Sequence, residues 1–236
     1  MPSLRMYDSV TLLCGERPEA ATVIRAGLES MRLHVQLHTA VWKSHLLDFF
    51  SGKVPCSEYI VICTGGARGS ETEREDIPEE AMQLAFPCVD DENHFEAIDF
   101  VVTPKNLRSV AHLPGKCVIW SGCGSGRRAF AEAFLSSGCR SYIGFTGEAD
   151  SDAGTLFTLG FFYHLLAHDR DPQFDCTEQE AFERAARIDV WSRRGTHRVR
   201  YHTLDRDMTP TASKQFVVYA VEAGVTWPPP PLVRAE

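Results

Sequence analysis

The chain has 236 residues, 44% of them hydrophobic, and a formal net charge of -8. That size supports one well-filled core. The charge argues against nucleic acid as a partner, because the only dense basic clusters are Arg127-Arg128 and the stretch from Arg193 to Arg200. No apolar run reaches the length of a membrane span, and the first residues lack the basic and apolar regions of a secretory signal, so a cytoplasmic protein with no membrane partner is expected.

In chain order, Tyr7 to Cys14 predicts a first strand. A helix follows from Glu19 to about Arg32, with Pro18 at its first turn and Ala20, Val23, Ile24, Gly27, Leu28 and Met31 as its apolar stripe. Leu33 to Leu37 alternates as a second strand. Trp42 to Phe50 predicts a short helix stopped by Gly52, and Tyr59 to Cys63 a third strand. Between Glu71 and Glu96 ten carboxylates face one arginine, Arg74, which predicts a solvated loop. Phe95, Ile98, Phe100 and Val101 suggest a small hairpin or edge strand, and Pro104 to Val110 a short helix.

The best-defined stretch runs from Lys116 to His168. Cys117-Val118-Ile119-Trp120 is a short apolar run, followed by the turn Ser121-Gly122-Cys123-Gly124-Ser125-Gly126. Ala129, Phe130, Ala133 and Phe134 then recur at helical spacing, with Gly138 as the C-cap. Ser141 to Phe145 is a second apolar run, and Leu156 to Leu166 an apolar helix. Two strand–helix units in series predict an α/β layer with a parallel sheet. Beyond it, Thr177 and Glu180 have the spacing of a capping box for a helix to about Trp191. Val199, Tyr201 and Thr203 then suggest a strand, and Phe216 to Val221 a further one. Residues 1–226 thus read as one domain, with 71–102 an acidic insertion or small hairpin and 227–236 a proline-rich tail.

In parallel sheets the turns after the strands' carboxyl ends usually carry function. Cys123 lies in such a turn. Flanking Gly122 and Gly124 leave backbone amides uncovered, and a helix start with Arg127 and Arg128 favours negative charge, a thiolate included. The eight cysteines are scattered without a CxxC pair, which predicts reduced thiols that are mostly small core hydrophobes. Cys63 ends what should be a neighbouring strand, so it either faces Cys123 or packs inward. No four-ligand zinc set can be assembled, and no cofactor is expected. The turn Thr64-Gly65-Gly66-Ala67-Arg68-Gly69 offers amides and one guanidinium to an anion, although it lacks the Walker lysine and a plain turn is the simpler reading. Glu148, Asp150 and Asp152 are placed to meet a basic side chain or a cation, or to remain a solvated loop.

Three segments carry a resemblance: Ser121 to Gly126, Ala129 to Leu135, and Gly138 to Gly144. Together they resemble the cysteine-bearing half of the caspase-like peptidases, closest to the CHAT-domain branch. Asp150 to Leu166, with Phe161-Phe162-Tyr163-His164-Leu165-Leu166, is similar to the helix that follows there. The resemblance implies a three-layer sandwich, a mainly parallel central sheet flanked by helices. It also implies that Cys123 is the nucleophile of a Cys–His pair, a peptide or protein partner, and selection of basic residues by acids such as Glu148, Asp150 and Asp152. The family's histidine position falls on Thr64 or Gly65 here, and neither can abstract a proton near neutral pH. His112 comes closest in sequence as a substitute base; His94, His34, His38 and His164 are the others. Three functions remain open: a degenerate domain that binds peptide or protein, an active cysteine endopeptidase with a relocated histidine, and an α/β enzyme using a Cys63/Cys123 thiol pair.

Overall fold

A computed structural model of the chain describes residues 4–15, 18–39, 43–63, 84–89, 97–145, 151–171, 173–187, 198–203 and 215–217. Seven strands form the main sheet: β1 (Ser9–Cys14), β2 (His34–Thr39), β3 (Tyr59–Cys63), β6 (Cys117–Trp120), β7 (Ser141–Phe145), β8 (Arg198–Thr203) and β9 (Gln215–Val217). Between β3 and β6, β4 (Leu84–Val89) and β5 (Ala97–Val102) pair antiparallel as a separate two-stranded sheet. The helices are α1 (Pro18–Ser30), α2 (Lys43–Phe50), α3 (Pro104–Val110), α4 (Arg128–Ser136), α5 (Ser151–Leu165), α6 (Ala167–Arg170) and α7 (Glu178–Ala185).

The order across the main sheet is β2-β1-β3-β6-β7-β8-β9. The first five strands are parallel, and β8 and β9 close one side in antiparallel pairing. Strand periodicity splits the core in two. Val10, Leu12 and Cys14 of β1, Tyr59, Val61 and Cys63 of β3, and Cys117 and Ile119 of β6 face one layer with residues of α1, α5 and α7. Leu13, Ile60, Ile62, Val118 and Trp120 face the other, with residues of α2, α3 and α4. β3 and β6 bury both faces, which is why these runs are apolar throughout, whereas edge strand β2 alternates and stays partly exposed. The chain is therefore a three-layer α/β sandwich with a mainly parallel sheet.

The local signals act as capping physics requires. Pro104 follows Thr103, whose hydroxyl accepts the Asn106 N–H at 3.1 Å, and Thr177 and Glu180 form a complete capping box. Gly138 (φ 96°) ends α4 with Cys139 N–H bonded to Phe134 O and Gly138 N–H to Leu135 O. This is the paired-bond stop that favours glycine. At the end of α1 the same pair of bonds joins Leu33 to Leu28 and Arg32 to Glu29, with Arg32 itself at φ 66°.

Three boundaries differ from expectation. α5 begins at Ser151, as the Asp150 to Leu166 resemblance implies, rather than at Leu156, where the apolar pattern starts, because the small and polar residues of its first turn hide the helical period. Leu84 to Val89, inside the acidic section expected to be solvated loop, is a strand that pairs with β5. α7 ends at Ala185, and residues 188–197 and 218–236, which hold the remainder of that expected helix, of the last strand and the proline-rich tail, lie outside the described residues.

The first described residues are latched to α6. Leu4 is buried, Asp169 accepts the Met6 N–H, and its Oδ1 lies 3.0 Å from Arg5. Burial alone would raise the Asp169 carboxyl, but the Met6 amide and the Arg5 guanidinium hold it below its ordinary value. A depressed native value stabilises the fold above the unfolded value, about 4, and that contribution is lost as pH falls through the lower native one. In urea melts between pH 6 and 2, the parent should therefore lose stability more steeply than Asp169→Asn. Parallel slopes would refute the latch.

Candidate functional site: the cysteine turn at the carboxyl end of the sheet

β6 is buried along its whole length, and its ladder continues one residue further through Ser121 N–H to Ile62 O at 2.9 Å. The chain then leaves the sheet, turns through Gly122, Cys123 and Gly124 (φ 68°), and comes back between the ends of β6 and β7. Ser125 is what returns. Its hydroxyl donates to Trp120 O at 2.7 Å and accepts the Phe145 N–H at 3.0 Å. The Ser125 carbonyl accepts the Tyr142 hydroxyl at 2.7 Å, and Gly126 N–H reaches Phe145 O at 2.8 Å. Gly126 and Gly144 touch backbone to backbone. A Cβ on Gly126 would lie 2.6 Å from Gly144 O, and one on Gly144 would lie 2.7 Å from Gly126 N. The glycines of this turn thus answer to close packing as well as to conformation.

Cys123 is half-buried at the crest of this turn. Gly122 and Gly124 beside it are buried. Arg127, the N-cap of α4, is only 4% exposed, whereas Arg128 turns outward to Glu132 at 2.6 Å. From the other layer the first turn of α5 lies against Ser121, since a Cβ on Gly154 would be 3.2 Å from the Ser121 Cβ. This brings exposed Asp152 to the carboxyl end of the sheet. Glu148 and Asp150 lie outside the described residues, as do Thr64, Gly65, Gly66 and Arg68.

Cys63 packs inward. It is 4% exposed and stands in register with Cys14 across the β1–β3 pair, and its thiol is hydrogen-bonded to Ser121. Burial, reinforced by Cys14 and opposed by Ser121, pushes the Cys63 thiol up to about 12. Such a thiol stays protonated near neutral pH and is a poor nucleophile. The described cysteines form no disulfide, and among the described residues no three His, Cys, Asp or Glu side chains gather as a metal set.

The structure separates His112 from Cys123. His112 precedes β6, and its N–H bonds Phe50 O at 2.7 Å, at the end of α2. Neighbouring Leu113 and Gly115 bond Ser137 and Gly138 at the far end of α4. His112 therefore belongs to the amino end of the sheet and Cys123 to the carboxyl end. His34 opens β2, also at the amino end. His38 packs on Phe49 with ring centroids 4.8 Å apart, and burial followed by the nearby His45 lowers it. It lies three strand positions from β6, about 14 Å at ordinary strand spacing. His164 is ten residues along α5 from Gly154, about 15 Å of helix. His94 lies outside the described residues. None of the residues of β3, β6 and β7 is a histidine, and His45, in the first turn of α2 after the carboxyl end of β2, stands beside His38.

Sequence reasoning missed the work of Ser125 and Tyr142. A buried serine inside a glycine turn has no sequence signature that separates it from a solvated one.

Fold and turn together define the class: a helix-flanked, mainly parallel α/β protein with a cysteine turn at the sheet's carboxyl end. No family model matches the chain, and no curated protein matches it. Among solved structures it is similar to a short-chain flavodoxin associated with a non-canonical PDU bacterial microcompartment, at 16% identity over 57% of this chain and 78% of that one, TM-score 0.31. It is also similar to a chain of the Saccharomyces cerevisiae separase–securin complex, at 10% identity over 70% of this chain, TM-score 0.39. The match spans 10% of that chain. Both likenesses are distant, and neither specifies a function. No described helix is long and apolar enough to cross a membrane.

Proposed function

We propose that the chain is a degenerate caspase-like domain that binds a peptide or protein segment over the Cys123 turn without cleaving it. The observation that carries this is that neither β3, β6 and β7 nor the Ser121 to Arg127 turn contains a histidine, although the turn itself is firmly held. A peptidase must protonate the leaving amine, and the donor has to lie within hydrogen-bond reach. His112, the nearest candidate in sequence, stands at the other end of the sheet. The carboxyl end remains the position where parallel sheets receive ligands. The resemblance of Ser121 to Gly144 to the cysteine-bearing half of the caspase-like peptidases supplies the class of ligand.

The test compares the parent with Cys123→Ala on a panel of fluorogenic peptide amides from pH 5 to 9, alongside labelling by electrophilic peptides with site mapping. The expected result is no Cys123-dependent turnover, together with sequence-dependent differences in labelling at Cys123 that report peptide docking. Cys123-dependent release of the fluorophore would overturn the proposal in favour of an active endopeptidase. Equal labelling by all peptides, no faster than at half-buried Cys56, would remove the peptide site altogether.

A further inference from the structure

In a parallel sheet with short strands, neighbouring backbones normally stay paired until both chains leave for their helices. β6 and β7 pair as far as Trp120, the last residue of β6, opposite Gly144, and beyond that point Ser125 bridges the two strand ends. One hydroxyl joins the last carbonyl of β6 to the last amide of β7, which wedges the two strand ends apart and seats the returning turn between them. Ser125 is fully buried, so neither bond is shared with water. Behind it, the fully buried Tyr142 ring stacks on Phe134 of α4, with centroids 4.8 Å apart at 13°, and its hydroxyl holds the Ser125 carbonyl. Burial pushes the Tyr142 phenol up, against the opposing hydrogen bond to Ser125, so it stays a donor across the working pH range. The backbone contact of Gly126 and Gly144 completes the clamp.

We propose that Ser125, braced by Tyr142, is the positioning residue of the Cys123 site, fixing the pose in which the thiol is offered to a ligand. This rests on the reading of the turn as the working surface of the domain, but the clamp can be tested without any peptide. The clamp limits how far the turn opens. Loss of a buried hydrogen bond in it should raise the open population by about tenfold.

The experiment measures the second-order rate of iodoacetamide labelling at Cys123, by peptide mapping, in the parent, Ser125→Ala and Tyr142→Phe. Labelling of the fully buried Cys117 and Cys139 serves as the control for global unfolding. The expected result is labelling of Cys123 faster by about tenfold in Ser125→Ala and by a smaller factor in Tyr142→Phe, with the buried cysteines unchanged. Equal Cys123 rates in all three, whatever happens to the melting temperature, would show that the hydroxyls serve stability only and would overturn the proposal. So would an increase shared with the buried cysteines. Should Ser125→Ala not fold, Tyr142→Phe alone decides between these outcomes. Peptide electrophiles run in parallel keep the two ideas apart: loss of peptide selectivity in the parent sinks the binding function, whereas an unchanged iodoacetamide rate sinks the clamp.

Discussion

Gly144→Ala, like Gly126→Ala across the same contact, is expected to be among the most damaging single-methyl changes at the described glycines. A Cβ there would stand 2.7 Å from both Gly126 N and Ser125 C, and 2.8 Å from Gly126 Cα. These are backbone atoms of a turn already tied to Phe145, Trp120 and Tyr142, so no side chain can swing aside. Relief requires β7 to separate from the turn, breaking the Gly126–Phe145 and Ser125–Phe145 bonds together. Overpacking ordinarily costs about 1–3 kcal/mol, and the forced loss of buried hydrogen bonds takes this site to the upper end or beyond, about 3–4 kcal/mol. Gly115→Ala is the control. It has φ 69° but nothing within 4 Å of the added methyl, so only backbone strain of about 1 kcal/mol is expected. Urea unfolding of the two variants checks the contrast. Equal losses would mean that the turn and β7 do not touch as described.

Glu178→Ala should be nearly as costly, for an electrostatic reason. Glu178 opens α7 at the amino end of the sheet and accepts from the Tyr59 hydroxyl at 3.0 Å, Arg140 Nε at 2.7 Å and the Ser141 hydroxyl at 2.7 Å. Arg140 also lies 2.7 Å from Glu58, packs over the Tyr59 ring at 4.8 Å and donates its backbone N–H to Lys116 O. One carboxylate thus joins β3, β7, α7 and the α4–β7 corner. Burial, reinforced by the Glu178 carboxylate, pushes the Tyr59 phenol up and keeps it a donor. Removing the acceptor strands the buried Tyr59 hydroxyl and leaves the Arg140 guanidinium, whose side chain is only 22% exposed, with Glu58 and the Gly115 carbonyl alone. Breaking a buried pair from one side costs about 3–5 kcal/mol, and the residual exposure points to about 3 kcal/mol here. Glu178→Gln, which keeps an acceptor of the same shape, should recover roughly half. A loss below about 1 kcal/mol in Glu178→Ala would show that the ion pairs are solvated and that packing alone holds α7.

Most of the scaffold was legible from pattern. Tyr59–Cys63, Cys117–Trp120 and Ser141–Phe145 are strands over the spans expected, because four or five apolar residues bounded by turn residues have few alternatives in a helix-covered sheet. Pro104, Thr177 and Gly138 marked helix ends, because caps are local chemistry between residues a few positions apart. The turn at Cys123 was legible too, as glycines between a strand and a helix. The start of α5 was not legible from the apolar period, which begins at Leu156, although the resemblance reached back to Asp150; its first turn lies where Gly154 approaches Ser121.

The candidate site divides along the same line. The sequence by itself determined that a cysteine would stand in a glycine turn after a buried strand, and that Thr64 and Gly65 offer no base. Only the tertiary structure decided that Cys63 belongs with Cys14 and Ser121, that His112 stands at the opposite end of the sheet, and that Ser125 is the wedge between β6 and β7. Glu178 and Arg140, which tie the amino end together, are 38 residues apart in the chain. Periodicity and capping act over a few residues and leave a trace in composition, whereas which strand ends adjoin depends on the strand order, β2-β1-β3-β6-β7, and that order is set by packing of the whole chain.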